Sequence, residues 1–209
     1  MYSRRLREKT LTFGHEGVLY RASFMLYDKG TRSLWVHTTG ACVKGPLKGE
    51  RLRFLAASVV PWKTWKAQHP ATRVLQGKAD RQFMGTLSLR YRPHDFGLSV
   101  GQGDAPKLVL FSDLAKHGVI NDTLARKGDH PLPIVVVYDR TTRTARAFER
   151  GSRTFRLEGG VLVASDGTRW DSLRLTREDS NERLVQIPAT QWLIERWRGF
   201  YPNGIVDAR

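Results

Sequence analysis

One stretch of this chain is written twice, and that repetition restricts the folds open to it more than any other feature. Residues 11–75 return in degenerate form from Thr154 to the end of the chain. Thr12-Phe13 comes back as Thr154-Phe155, and Gly17-Val18-Leu19 as Gly160-Val161-Leu162. Asp28, Thr31 and Trp35 are echoed by Asp166, Thr168 and Trp170, and Glu50-Arg51-Leu52 by Glu182-Arg183-Leu184. Trp65 with His69-Pro70 reappears as Trp197 with Tyr201-Pro202. The second copy is about ten residues shorter, the loss falling in loops, where deletions cost least. Leu52 to Trp65 and Leu184 to Trp197 keep the same 13-residue spacing, which preserves a strand-to-helix geometry. A period this long predicts a duplicated domain rather than a solenoid. If the duplication is real, Trp65 falls on Trp197 and Leu52 on Leu184.

The strand and turn signals inside the repeat predict a mainly β (α+β) protein. Its expected form is internally duplicated antiparallel sheets or barrel-like units with a few short helices. Leu11 and Phe13 alternate with Thr10 and Thr12, residues 14–17 read as a turn, and 18–20 and 24–27 read as strands. Asp28-Lys29-Gly30 predicts a turn in which the glycine supplies the positive φ, returning the chain as a strand over 33–37. A further strand is expected over 51–56. Pro61 marks the start of a short helix, where a missing N–H costs little, and His69-Pro70 ends it. Trp62 and Trp65, three apart on that helix, face one side and are expected as core anchors.

Between the copies, 87–91 alternates like a strand, and 97–100 and 108–111 read as a hairpin. Ser112 is placed to cap a helix ending at His117, with Gly118 in the position after it. The run Ile134-Val135-Val136-Val137-Tyr138 predicts a strand central in its sheet, with 144–150 returning beside it. The boundaries that follow are a first unit over 1–76, incomplete on its N-terminal side, and a second over 77–209. The second divides into halves at 97–150 and 151–209, all packed as one body.

These pieces together resemble a known family. The segments LTFGHEGVLYRASFMLYDKGTRSLW, GPLKGERLRFL, the W-x-x-W-x-x-x-H-P run from Trp62 to Pro70, LAKHGVINDTL and IVVVYDRTTRTARAFER are similar, in collinear order, to bacterial and archaeal proteins of domain-of-unknown-function family 3179. The resemblance implies architecture rather than activity. It also implies a half-unit like residues 97–150 before the first repeat, whose central strand ends in Cys-Pro-x-Cys. The chain opens at Met1-Tyr2-Ser3, inside the strand that would follow such a half-unit, and 138–142 carries no cysteine. Thiol or metal chemistry of that motif is therefore not expected of these residues. An open strand edge is, and homo-oligomerisation would relieve it.

The residues offer little catalytic patterning. The chain has one cysteine, Cys42, so it forms no internal disulfide, and a small buried hydrophobe is the expected role of that thiol. Gly97-Leu98-Ser99-Val100-Gly101 matches G-x-S-x-G, but a nucleophile elbow needs a helix after the turn and another strand is predicted there. Gly101 and Gly103 begin like a phosphate loop, with Pro106 where the third glycine belongs. The six histidines show no metal-ligand spacing, and neither a metal nor a cofactor is expected. Asn121-Asp122-Thr123 is the best polar cluster, most simply a turn fixed by side-chain bonds to the backbone. Asn121, Asp122, His117, Trp35 and His69 are the candidate ligand-contacting residues.

With 35 Lys and Arg against 20 Asp and Glu, the formal net charge is +15. Such a balance favours polyanions, although the cations are dispersed and no nucleic-acid-binding motif accompanies them. No stretch is long and apolar enough for a membrane-spanning helix, and no signal peptide is evident. A cytoplasmic location is expected of the chain as it stands, and export if a leader lies upstream. The function these features favour is a non-enzymatic binding or structural module. The alternatives are an enzyme or a redox or metal protein whose working half lies upstream, and polyanion binding through the basic surface.

Overall fold

The computed structural model describes residues 1–74, 92–101, 106–125, 130–171 and 175–207. Their architecture is mostly β, in separate sheets, and none of these closes into a barrel. The N-terminal part opens with a two-residue pair, β1 (Arg5–Leu6) and β2 (Lys9–Thr10). It continues as an antiparallel meander of β3 (Phe13–Tyr20), β4 (Ser23–Asp28), β5 (Leu34–Val36) and β6 (Cys42–Lys44). Residues 14–17, expected as a turn, lie inside β3. The ladder shifts register between His15 and Leu19, where β3 carries two more residues than β4 and Gly17 takes φ +80°. A β-bulge thus replaces the turn. The reversal comes later, at Arg21 and Ala22, both at positive φ.

The Asp28 turn forms as expected, but Arg32 rather than Gly30 takes the positive φ. Residues 51–56 do not form a strand. They make single bridges, Ala41 with Arg51 and Tyr2 with Phe54, because Gly45 and Gly49 turn the chain too sharply for a continuous ladder. Helix α1 (Trp62–Gln68) follows, with Pro61 at its N-cap position.

In the C-terminal part, β7 (Phe96–Val100) and β8 (Lys107–Leu110) form the expected hairpin. The predicted strand over 87–91 lies outside the described residues. Helix α2 (Phe111–His117) runs straight out of β8. Its N-cap is Leu110 rather than Ser112, with no side-chain cap, while Gly118 ends it at φ +73° and donates its N–H to Leu114. Next come β9 (Val119–Leu124), β10 (Leu132–Asp139) and β11 (Thr144–Glu149), with β10 central. A second meander holds β12 (Phe155–Glu158), β13 (Val161–Ala164) and β14 (Arg169–Trp170). Then β15 (Ala189–Leu193) returns to pair with β7, α3 (Ile194–Phe200) follows, and β16 (Ile205–Asp207) joins β8 in parallel.

The middle layer is the β9–β11 sheet, and its apolar run explains why. Ile134, Val136 and Tyr138 point one way, into a core with Leu98, Val100, Val109 and Leu114. Val135 and Val137 point the other way, against Phe155, Leu162, Trp170 and Leu175 of the second meander. A strand buried on both faces needs an unbroken apolar sequence, and this one has it. The far side of the β7–β8 sheet is closed by α3, whose Trp197 packs on Leu108 and Trp192.

The two meanders share main-chain bonds. Lys29 N–H donates to Thr12, as Ser165 N–H does to Thr154. Ser3 N–H meets Arg53 and Leu55 N–H meets Met1, as Glu149 meets Val185 and Ile187 meets Ala147. His69 N–H closes on Trp65, as Tyr201 closes on Trp197. Phe13 meets Trp35 edge-on at 5.8 Å, and Phe155 meets Trp170 edge-on at 5.7 Å. One sequence match shifts in register. Ala164, not Asp166, opposes Phe155 where Asp28 opposes Phe13, because the second turn is shorter and leaves Asp166 at the surface.

The surroundings of the two meanders and of the helices after them differ. Trp197 is fully buried, whereas Trp62 and Trp65 are 54% and 40% exposed. The expectation that both indoles of α1 are core anchors is therefore overturned. Residues 189–193 pair with β7, which brings α3 down on that sheet. The corresponding stretch before α1 instead lies along β11, where Ser58 Oγ accepts from Arg146 Nε at 2.9 Å and the Val59 carbonyl accepts from Thr144 at 3.1 Å. No sheet lies under α1 among the described residues.

Candidate functional site

Trp35 packs with Leu11, Cys42 and Leu52, but among the described residues no sheet lies over Leu26, and a cleft opens there. The face of the second meander that carries Phe155, Leu162 and Trp170 is closed by Val135 and Val137. The matching face of the first meander carries Phe13, Leu26 and Trp35, and there a hollow of about 670 Å³ opens between it and the β15–α3 turn. Leu162 is fully buried, whereas its counterpart Leu26, opposite Trp35 as Leu162 is opposite Trp170, is only partly so. Trp192, Phe96 and Phe200 form the far wall. The volume and the aromatic lining are those of a ligand cleft.

Its polar equipment is cationic. Arg4, Arg21 and Arg196 border the opening, and among the described residues the lining contains no Asp, Glu or Cys. Arg21 is fixed across the junction by a 2.7 Å bond to the Gly199 carbonyl. Tyr2 donates its hydroxyl to the Thr38 carbonyl at 2.7 Å. Burial, with the nearby Tyr201, pushes its phenol well above the ordinary tyrosine range, so it stays a neutral donor. His37, Ser23, Thr38, Thr190 and Gln191 complete its polar lining, and among the described residues no carboxylate stands beside His37 in it. The arrangement is suited to burying an apolar body and meeting an anionic or hydrogen-bonding group at its mouth.

Asp28 supports the floor. It lies behind Trp35, fully buried, and accepts bonds from the Thr31 N–H and hydroxyl (2.7 Å each), the Ser33 N–H (3.1 Å) and Trp35 Nε1 (3.3 Å). Burial alone would raise its pKa. The bonds from Thr31, Trp35 and Ser33 outweigh that and hold the carboxyl below its ordinary value.

The five residues singled out by sequence are not gathered in one place. Trp35 forms the cleft floor. His69 sits at the end of α1 with its ring 4.0 Å from that of Trp65, beside a separate hollow of about 380 Å³. His117 is exposed in the last turn of α2. Asn121 and Asp122, expected to fix a turn, lie in β9. Asn121 holds the backbone of Phe155, and Asp122 pairs with Lys107 at 2.6 Å. A strand displaces the turn because residues 119–124 have β10 to pair with over their whole length. Phe13, Leu26 and Trp192 were missed as site residues, since their alternating apolar pattern is that of any half-buried strand.

Ser99 of the G-x-S-x-G run is buried within β7 and accepts the Trp197 indole N–H at 2.8 Å, a packing role. Cys42 is buried, its Sγ 3.4 Å from the Lys44 carbonyl, and burial raises its thiol pKa. Native protein should therefore react with Ellman's reagent roughly a hundredfold more slowly than protein in denaturant, as thiolate availability and access both fall. Equal rates would mean that Cys42 is open and activated.

Among the described residues, no three His, Cys, Asp or Glu side chains gather as a metal-binding group, and no helix is long and apolar enough to cross a membrane. No curated protein and no solved structure matches the chain. Residues 1–92, which build the first meander, α1 and the cleft floor, match the model of the family described as protein of unknown function DUF3179, and over that part the chain resembles that family.

Proposed function

We propose that this chain is an internally duplicated, non-enzymatic binding module whose working surface is the cleft above Trp35. One observation carries the reading. Two meanders share a Phe–Trp pair and a main-chain bonding pattern, yet Leu162 is fully buried under the β9–β11 sheet in one, while Leu26 is only partly buried and lines a cleft in the other. Trp35 itself is 1% exposed, but Phe13 and Leu26 beside it are only partly buried, and an apolar wall of this kind fits a site that is filled by something else. The cationic border and the lack of a carboxylate in the lining, among the described residues, support binding over catalysis.

The test uses an anionic apolar dye, anilinonaphthalene sulfonate, titrated into the full chain. One saturable site is expected. Leu26→Glu places a charge on the cleft floor and should weaken dye binding by about tenfold or more. Trp62→Ser with Trp65→Ser, which alters the exposed helix instead, should leave it unchanged. Circular dichroism shows whether each variant is folded. Loss of dye binding in the double variant alone would place the apolar surface on α1 and sink the reading.

A further inference from the structure

The turn end of the β3–β4 hairpin is apolar and exposed. Val18, Leu19 and Phe24 are each more than half exposed, and Tyr20 beside them is exposed as well. A strand with one solvated face alternates apolar with polar residues. Here Val18, Leu19 and Tyr20 follow one another, and Leu19 faces Phe24 across the ladder, so apolar side chains leave both faces. The end is also held in shape. Arg21 and Ala22 make a two-residue connection with both φ values positive, a form that Asn-Gly fills at least cost. Arg21 is fixed there by its 2.7 Å bond to the Gly199 carbonyl and lies 5.5 Å from the Tyr20 ring, while Tyr20 reaches Phe200 at 6.3 Å. Arg196 and Arg198, on the helix that receives Arg21, are exposed with it, and Glu195 of that helix pairs with Arg196 at 3.3 Å. No Asp or Glu occurs from Gly17 to Tyr27.

The second meander lacks this end. There Leu157 faces Leu162 as His15 faces Leu26, Glu158 faces Val161, and Gly159 and Gly160 turn the chain. Val161 and Leu162, which echo Val18 and Leu19 in sequence, belong to β13 and so correspond in place to residues of β4. Leu19, Tyr20 and Phe24 thus extend the first meander beyond the pairs that the β9–β11 sheet covers in the second. Arg21 and Arg196 also border the cleft, but Val18, Leu19, Tyr20 and Phe24 do not line it.

We propose that this hairpin end inserts into an anionic lipid surface, with Val18, Leu19 and Phe24 among the acyl chains and Arg21, Arg196 and Arg198 at the headgroups. The proposal goes beyond the cleft and does not rest on it. A protein groove takes up one face of a hairpin and leaves the other in water, whereas lipid accepts both. Tyr20, with a ring to bury and a hydroxyl to hydrate, suits the boundary between acyl chains and water. The arginines beside the apolar residues, in a chain of net charge +15, favour anionic over neutral lipid.

The full chain is sedimented with vesicles of mixed phosphatidylglycerol and phosphatidylcholine, and with vesicles of phosphatidylcholine alone. Binding to the anionic vesicles that falls as salt rises is expected, with little binding to the neutral ones. Leu19→Ser with Phe24→Ser removes apolar surface without changing charge, and should weaken binding to the anionic vesicles at least about tenfold. Both side chains are exposed, so this variant should keep its fold, as circular dichroism would show. Trp62→Ser with Trp65→Ser removes the apolar surface of α1 and should leave binding unchanged. A second readout is Leu19→Cys carrying a polarity-sensitive fluorophore, which labels at the hairpin because Cys42 is buried. Its emission should shift to the blue on anionic vesicles and be quenched by brominated acyl chains. Absence of binding at low salt, equal binding to neutral and anionic vesicles, or undiminished binding by the Leu19 and Phe24 double variant would each overturn the proposal. So would a fluorophore left unquenched in vesicle-bound protein, or a loss of binding in the tryptophan variant alone.

Discussion

Replacing Trp197 by alanine should destabilise the protein by about 3–5 kcal/mol, while the same change at Trp65 should cost no more than about 1 kcal/mol. The carbonyl of each residue accepts the N–H that closes its helix, from Tyr201 at 2.9 Å and His69 at 2.8 Å. Helix propensity and capping are therefore alike, and the difference is burial. Trp197 is fully enclosed with Leu108 and Trp192, and its ring sits so close to Gly204 that a Cβ there would lie 2.2 Å away. Truncation leaves a cavity that cannot collapse and orphans the Ser99 hydroxyl, which accepts the indole N–H within the core. Trp65, 40% exposed, makes a 2.9 Å bond to Thr72 and a tilted ring contact with His69, both within its own segment. Urea midpoints of the two variants decide the matter. A loss at Trp65 equal to that at Trp197 would mean that α1 is docked and buried in solution.

That pair also shows where sequence reading reaches its limit. Pro61 and His69-Pro70 marked the first short helix, which forms over Trp62–Gln68, because helix start and stop are local properties, whereas the strand expected before it does not form. Whether a helix face is covered depends on what arrives from elsewhere in the chain. Here residues 189–193 found β7, and the stretch before α1 found only the edge of β11. The same logic explains Asn121. An Asn-Asp-Thr run is turn-forming in isolation, and only the pairing of β9 with β10 along its whole length turns it into a strand. Its ligand, a main-chain pair 34 residues away, left no local trace. The strands of the two meanders and the central Ile134–Tyr138 run were legible because their apolar alternation and continuity are physical consequences of one-sided and two-sided burial. The cleft was not legible, since it is a mismatch between two copies that read alike.

A second large effect is expected at Asp28. Asp28→Ala should cost about 3 kcal/mol or more, since it strands the donors of Thr31, Ser33 and Trp35 in a buried site. Asp28→Asn is the more telling variant, because its shape is nearly unchanged while its NH₂ must face either the Thr31 N–H or the N–H groups of Ser33 and Trp35, which can only donate. The pH dependence follows from the direction of the shift. The native carboxyl titrates below its ordinary value of about 3.9, the value it regains on unfolding. Between those two values the unfolded chain binds more protons, so stability rises with pH through that window. The Asp28 contribution is therefore fully present above about pH 5 and is lost as pH falls through the native pKa. The gap in urea midpoint between the unmodified protein and Asp28→Asn should be wide at neutral pH and narrow steadily toward about pH 2. Other carboxylates, Asp166 and Asp179 among them, are also held low, but they are common to both proteins and cancel in the difference. A gap that stays constant with pH would show that the Asp28 carboxyl titrates alike folded and unfolded, and a gap that widens as pH falls would show a raised native pKa, with the floor of the cleft held by a neutral hydrogen-bonded acid rather than by a buried anion.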